Sequence, residues 1–367
     1  MAKSKNRNVP NFERVRKALL LQGEPDRVPL LELKIDRGVK DAFMGRPVDD
    51  LKTDVQFWQE AGYDFIRFRP EYDFQYAGSI LHKAEYSLYG NGTEERKWAE
   101  EGKGVITNME EFEKFPWPKS RDINYSKLEE VSKYLPDGMK LITSSTGIWE
   151  SVWMLMGLEG FSYALIENPP LVENMFTKLG EIHLDIFKNA ITFPSVGAMW
   201  YTDDIAYTEG FMVSPDILRK YVFPWMKKMG ELCKEYDMPF LYHSDGDIRE
   251  VLPDLIDCGV NAIHPIEPKG MDIRELKKKY GKKLALIGNV DLSYTLTRGT
   301  PDEVREEVKN LIRDVAPGGG YCVGSSNSIP NYVPLENYKA MLEATKMYGE
   351  YPIRDLDRRS RINYVTT

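Results

Sequence analysis

A histidine and two aspartates follow an apolar run in the segment PFLYHSDGDI, residues 239–248. The histidine is His243, one of only 4 in the chain, and Asp245 and Asp247 follow it at alternate positions. Residues i and i+2 of an extended segment point to the same side, so His243 and Asp245 would face the same space. Such a pair can bind a metal ion, move a proton or hydrogen-bond a turn, and Asp-Gly is itself a common turn pair.

Other side chains able to do chemistry also follow apolar runs. The adjacent carboxylates Asp203 and Asp204 close the run GAMWYTDD, and we expect them to handle substrate or protons, although they could also cap a helix or a turn. Glu209 in YTEGF is a third candidate for the same role. The candidates for substrate contact are Glu32, Trp149, Tyr201 and Asn289.

The elements that must position these residues alternate between strands and helices. Helical patterns at 51–62, 214–236 and 300–315 separate runs of β-branched and aromatic residues, and the last two begin with Ser or Thr before Pro. Alternating strands and helices form right-handed βαβ units, and eight units close a (β/α)8 barrel. The eight predicted strands are 27–35, 63–70, 139–146, 197–204, 239–246, 260–267, 284–291 and 321–326.

We therefore predict an α/β protein with a single TIM barrel domain over residues 1–367. It would have an N-terminal extension and insertions at about 71–124 and 147–196. An open, doubly wound sheet is the alternative, and it is weakened because no GxGxxG follows a predicted strand. Active sites of barrels lie at the carboxyl ends of the strands, so the candidate residues would meet at one mouth.

Composition excludes several classes of function. The formal net charge of −8 argues against nucleic-acid binding, which needs a basic surface. No apolar stretch follows the basic N-terminus and no run reaches the length of a membrane span, so we expect a cytoplasmic protein without a membrane segment. The 3 cysteines are far apart and odd in number, which is typical of reduced thiols rather than of a disulfide framework.

Four blocks of the chain, taken together and in this order, resemble the uroporphyrinogen decarboxylase superfamily. They are YTDDIAYTEGFMVSPDIL, YHSDGDIREVLPDLIDCGVNAIHPIEP, LALIGNVDLSYTLTRGTPDEV and PGGGYCVGSSNSIPNYVPLENYKAM, and the similarity extends from about residue 195 to the C-terminus. The resemblance implies a single (β/α)8 barrel. It also implies one of two chemistries, decarboxylation of a porphyrinogen or methyl transfer with a corrinoid protein.

The decarboxylases of this superfamily have an Arg-Gln-Ala-Gly-Arg pattern after the first strand. This chain keeps only Arg37 there, in LELKIDRGVKDAFMG, so we favour the methyltransferase branch and retain decarboxylation as the alternative. In that branch a His-x-Cys pair and a later cysteine hold zinc. The resemblance matches His243 to the histidine, Asp245 to the first cysteine and Cys322 to the second. Glu267, which closes the sixth predicted strand, is a candidate for an exchangeable fourth ligand.

The same resemblance implies that a partner protein carries the corrinoid and that the other substrate is a small methylated compound. An aromatic cluster within 147–201 would suit an aryl methyl ether, but it could equally pack an inserted helix against the barrel. Methylated thiols and amines remain open. A homodimer is also expected from the superfamily.

Overall fold

The computed structural model describes residues 9–72, 74–77, 79–83, 87–89, 95–99 and 104–354. The strands are β1 Phe65–Phe68, β2 Ser79–Lys83, β3 Glu95–Ala99, β4 Lys140–Thr146, β5 Val196–Thr202, β6 Ala206–Tyr207, β7 Gly210–Phe211, β8 Phe240–His243, β9 Ala262–His264, β10 Ala285–Ile287 and β11 Tyr321–Cys322. Seven of them form one parallel sheet in the order β1-β4-β5-β8-β9-β10-β11. The pairs β2-β3 and β6-β7 are separate antiparallel sheets.

Helices fill most of the connections between these strands. They are α1 Phe12–Leu19, α2 Arg37–Met44, α3 Leu51–Glu60, α4 Met109–Lys114, α5 Ser126–Ser132, α6 Ile148–Met156, α7 Leu158–Glu167, α8 Pro169–Ala190, α9 Pro215–Tyr221, α10 Phe223–Glu235, α11 Leu252–Asp257, α12 Ile273–Tyr280, α13 Thr295–Arg298, α14 Pro301–Val315 and α15 Leu335–Tyr348. Parallel strands joined by helices confirm the predicted α/β class, and the architecture is consistent with a TIM-like barrel.

Seven of the eight predicted strands lie in the large sheet, all but segment 27–35. That segment runs beside β11 and makes only isolated bridges. Leu30 with Val323 and Ile35 with Ile329 are parallel, and Arg27 with Glu350 is antiparallel. Pro29 accepts a hydrogen bond from Val323 but has no N–H to donate, which contributes to the broken ladder. Closure of the sheet into a barrel by segment 27–35 stays a prediction.

Local sequence explains where two predicted helices begin and break. Thr300 and Glu303 form a capping box ahead of α14, with Pro301 at the first helical position. The predicted helix over 214–236 divides into α9 and α10 at Val222. Pro224 explains the break, because it cannot donate the backbone hydrogen bond that a continuous helix requires.

The second predicted insertion, 147–196, is helical and contributes to the core. It contains α6, α7 and α8, and Trp149 and Phe161 of this insertion are completely buried, with ring centroids 4.9 Å apart in an edge-to-face arrangement. Two aromatic residues of the cluster predicted to suit an aryl methyl ether, Trp149 and Phe161, therefore pack against each other within this insertion. The first insertion, 71–124, contains the β2-β3 pair and α4.

The predicted N-terminal extension includes α1, which lies at the amino-terminal end of the sheet. Its first residue, Phe12, donates its N–H to the carbonyl of Gly138, just before β4, and Arg14 pairs with Asp64, just before β1. The helix contacts β5 and also β10 and β11, which β8 and β9 separate from β5 in the sheet. The sheet must therefore curve around α1.

None of the helices in the described ranges combines the length and the apolar character needed to cross a membrane. Residues 1–8, on which the expectation about the N-terminus partly rests, lie outside the described residues. A cytoplasmic location stays a prediction.

Candidate metal centre

Three side chains at the carboxyl end of the sheet present ligand atoms to one point. His243 ends β8, Asp204 follows β5 and Asp245 lies in the turn after β8, and one ligand atom from each lies within 4.8 Å of the others. His243 Nε2 is 3.5 Å from Asp204 Oδ1 and 3.9 Å from Asp245 Oδ1. Two ligands at about 2.1 Å from a tetrahedral zinc ion are about 3.4 Å apart, so these separations fit one ion.

The exposure of the three side chains matches a site that opens on one side. The His243 side chain is only 6% exposed, whereas those of Asp204 and Asp245 are 42% and 37% exposed. In the part of the chain that the structure describes, no other group of three His, Cys, Asp or Glu side chains meets the same distance limit. We call His243, Asp204 and Asp245 the metal triad.

Cys322 does not join the metal triad, which corrects its assignment as a zinc ligand. It is the second residue of the short strand β11, it is fully buried, and it pairs with Ile287 of β10. Burial raises the pKa of its thiol, and the charge of Asp64, which precedes β1, raises it further. No atom of Cys322 belongs to the group of ligand atoms at the metal triad.

Asn327 is the residue of this last segment that reaches the metal triad. Its Nδ2 donates hydrogen bonds of 3.0 and 2.7 Å to the two carboxylate oxygens of Asp245. Asn327 lies five residues beyond the end of β11, in the loop where barrel sites are built. The sequence analysis did not select it, and its position beyond the strand was the signal that could have identified it.

His264, the last residue of β9, fixes the orientation of His243. The two Nδ1 atoms are 2.8 Å apart, so one ring donates and the other accepts. Burial lowers the pKa of both imidazoles, and the charge of Arg67 lowers them further. His243 can offer Nε2 to a metal only if its proton is on Nδ1, and His264 Nδ1 is the acceptor for that proton.

Asp203, a predicted catalytic residue, caps a helix. Its carboxylate accepts hydrogen bonds from the N–H groups of Trp149 and Glu150 in the first turn of α6, at 3.1 and 2.8 Å, and from the hydroxyl of Tyr201 at 2.8 Å. A Cβ atom at Gly147 would lie 1.9 Å from this carboxylate, so glycine permits the approach. Burial raises the pKa of Asp203 to about 7, although these hydrogen bonds act to lower it.

We expect Asp203→Ala to lower the free energy of unfolding by about 2 kcal/mol, because it removes a helix cap and leaves buried donors without an acceptor. Asp204→Ala is the matched control, since its side chain is half-exposed, and it should change stability by less than about 0.5 kcal/mol. Urea denaturation of both variants measures the difference. Equal stability losses would contradict the capping role.

Two further predicted acids lie at different distances from the metal triad. Glu267 accepts hydrogen bonds from the N–H of Gly246 at 3.2 Å and from Thr208 at 3.3 Å, and it adds negative charge near Asp245. Burial, together with the charges of Asp204 and Glu267, raises the pKa of Asp245 to about 8. Glu209 is exposed between β6 and β7 and belongs to no group of ligands among the described residues.

The four residues predicted to contact substrate are all buried within the protein. The carboxylate of Glu32 accepts hydrogen bonds from the N–H and hydroxyl of Ser325, and Asn289 donates to the carbonyl of Ile266. Tyr201 bonds Asp203, and Trp149 packs on Phe161. None of the four lines the cavity described next, so their interactions here are with the protein itself.

A cavity of about 630 Å³ adjoins the metal triad. His243, Asp204 and Asn327 form part of its wall, and further lining residues that the sequence analysis did not select as site residues are Lys34, Arg67, Arg69, Tyr76 and Glu150. Burial raises the pKa of Glu150 well above its usual value, as do the nearby charges of Asp204 and Asp203. The cavity is large enough for a small organic molecule.

Comparison with known proteins identifies the family. Residues 101–348, more than half of the chain, match uroporphyrinogen decarboxylase (URO-D). The chain belongs to the URO-D family. The resemblance of the four sequence blocks to this superfamily is thereby confirmed.

Two kinds of curated relative match this URO-D family chain. The methylcobamide:CoM methyltransferase MtaA of Methanosarcina barkeri is 27% identical over 183 residues, which cover 47% of this chain and 50% of that protein. A uroporphyrinogen decarboxylase of Actinobacillus succinogenes is 34% identical over 80 residues, 22% of each chain. The matches thus span from a fifth to about half of these two relatives.

A solved structure supports the fold over a greater length. A methyltransferase from Methanosarcina mazei superposes with a TM-score of 0.65 at 18% sequence identity, covering 90% of this chain and 97% of that one. At this identity the likeness concerns the fold alone.

Proposed function

We propose that this protein is a zinc-dependent methyltransferase that moves a methyl group between a small methylated substrate and a corrinoid carried by a partner protein. The observation that carries the proposal is the metal triad, one imidazole nitrogen and two carboxylate oxygens within 4.8 Å, in a chain similar to methylcobamide:CoM methyltransferases. Three protein ligands beside an open cavity are the arrangement of a catalytic zinc site.

Each residue of the triad has a defined part in holding the ion. His243 would bind through Nε2, with the proton on Nδ1 directed to His264. Asp245 would bind through a carboxylate that Asn327 orients, while Asp204 also accepts the N–H of Asp245 at 2.9 Å. Zinc, when bound, supplies Lewis acidity toward the heteroatom that carries the methyl group.

The cavity beside the triad would hold the methylated substrate. Its wall places Asp204 and His243 on the same cavity as Arg67 and Tyr76, so a small molecule there can reach the triad. An aryl methyl ether remains our leading substrate class, while methylated thiols and amines are alternatives. The corrinoid partner would approach at the carboxyl end of the sheet, where the half-exposed Asp204 and Asp245 lie.

Decarboxylation of a porphyrinogen is the second candidate, because the URO-D family and one kind of relative carry that name. It would assign proton chemistry to Asp203 or Asp204. Asp203 already accepts three hydrogen bonds at the start of α6, and Arg37 pairs with Asp41 on the surface. These contacts favour methyl transfer over decarboxylation.

The test is a methyl-transfer assay with the zinc-loaded protein, free cob(I)alamin as a substitute for the partner, and 2-methoxyphenol, methanethiol and methylamine as donors. We expect methylation of the corrinoid from one donor, followed by its absorbance spectrum, and at least about a 100-fold loss after zinc removal. Recovery on adding zinc is the control for damage by the chelator. Full activity without zinc, transfer from none of the donors, or turnover of uroporphyrinogen would contradict the proposal.

A further inference from the structure

Arg67 is a partly buried cation at the cavity with no acidic partner among the described residues. It lies on β1 near the carboxyl end of the strand, and its side-chain hydrogen bond runs from Nε to Ser144 Oγ at 3.0 Å. Several other guanidinium groups of the protein have carboxylate partners, as Arg14 has Asp26 and Asp64, and Arg274 has Asp314. Arg67, in contrast, lies in the wall of the candidate active site.

A second arginine lies beside Arg67. Arg69, the first residue after β1, lines the same cavity and stacks over the ring of Tyr72 with 5.4 Å between Cζ and the ring centroid. Burial lowers the pKa of Arg67 to about 10, and the charge of Arg69 adds to this effect, so Arg67 is still protonated at neutral pH.

Arg67 is also close to the metal triad. It lines the same cavity as His243 and Asp204. Since Nε is engaged with Ser144, the Nη1 and Nη2 groups remain for a ligand, and this end of a guanidinium matches the two oxygens of a carboxylate. A partly buried cation without a counterion is costly, and an anionic ligand would remove that cost.

We propose that Arg67 binds a carboxylate group of the substrate, so that the methylated compound is a small organic acid. Its acidic end would lie at Arg67 and the heteroatom with the methyl group would lie at the metal triad, across the same cavity. This inference narrows the substrate class of the proposed methyltransferase to small organic acids. Only the statement that the acid carries a transferable methyl group rests on the proposed function. Recognition of the carboxylate rests on Arg67 itself.

The first experiment measures binding without any methyl transfer. Benzoate is titrated into the zinc-loaded protein by calorimetry, with the neutral benzamide as the matched ligand. We expect Arg67→Gln to weaken benzoate binding about 10- to 100-fold, the usual effect of losing a charged hydrogen-bonded partner, and to leave benzamide unchanged. Arg67→Lys keeps the charge and should lose less, while Arg121→Gln, an exposed arginine on the surface, should bind as the wild type does.

Three outcomes of the titration would overturn the inference. They are no benzoate binding to the wild type, equal binding to wild type and Arg67→Gln, and tighter binding of benzenesulfonate than of benzoate. Titration of His243→Ala with benzoate separates binding at Arg67 from binding at the metal, since only the latter depends on His243. Circular dichroism confirms that each variant is folded.

The second experiment compares 4-methoxybenzoate with methoxybenzene as methyl donors. If the acid is preferred and Arg67→Gln removes the preference, both the function and the inference stand. If neither ether donates a methyl group but benzoate binds through Arg67, the carboxylate site stands and the ether assignment fails. If both ethers donate equally well and Arg67→Gln changes neither rate, the methyltransferase stands and the inference fails.

Discussion

Replacing His243 by alanine is expected to abolish zinc binding at the candidate site. The imidazole is the nitrogen ligand of the metal triad and, at 6% side-chain exposure, lies where water cannot readily take its place. We expect the zinc affinity to fall by more than about 100-fold, beyond the 10- to 100-fold typical of residues that only orient a ligand. A competition titration against a fluorescent zinc indicator measures the change.

Cys322→Ala is the decisive control for this result, because the family resemblance assigns a ligand to Cys322 and the structure assigns none. Its thiol is buried in β11 and is not in the metal triad, so the variant should keep its zinc affinity within about threefold. Loss of zinc in Cys322→Ala, or unchanged binding in His243→Ala, would refute the triad. Thermal unfolding in the presence of a chelator shows whether each variant retains the fold.

Protein stability is expected to fall as the pH rises from about 4.5 to about 8, because of Glu32. Burial raises the pKa of this carboxyl group to about 8, although hydrogen bonds from Ser325 oppose the shift. The folded protein then holds a proton that the unfolded chain releases above its ordinary pKa of about 4.5, so unfolding is favoured as the pH increases. Between pH 4.5 and 7 this single group should cost about 3 kcal/mol.

Glu32→Gln is expected to remove this contribution. An amide can accept from the N–H of Ser325 and donate to its hydroxyl, and so keeps both contacts without an ionisable group. The difference in unfolding free energy between Glu32→Gln and wild type should therefore grow from near zero at pH 4.5 to about 3 kcal/mol at pH 7. Urea denaturation across this range gives the difference, and Glu209→Gln, at an exposed position, should show no such trend.

Much of the scaffold could be predicted because strands and helices have different periods in the sequence. Seven strands were located from β-branched and aromatic runs, and α14 from its capping residues. Segment 27–35 has the same composition but makes only isolated bridges, because pairing depends on the partner strand as well as on propensity. The break at Val222 could have been read from Pro224.

The candidate site was predictable only where position along a strand decides the direction of a side chain. His243 and Asp245 meet because alternate residues share a side, and they lie at the carboxyl end of β8. Asp203 and Asp204 are adjacent and therefore diverge, one toward α6 and one toward the triad, and residue type alone cannot say which. Cys322 is the last residue of β11, whereas Asn327 lies five residues beyond it. The predicted strand, 321–326, was longer than β11, so the sequence did not separate these two positions.

The position of α1 limits how molecules can arrive. Because this helix lies at the amino-terminal end of the curved sheet, the proposed substrate and the proposed corrinoid protein would both approach the cavity from the opposite end. A corrinoid protein bound over the opening of the cavity would block the small molecule from entering or leaving. Turnover would then follow a fixed sequence of entry, docking, undocking and exit.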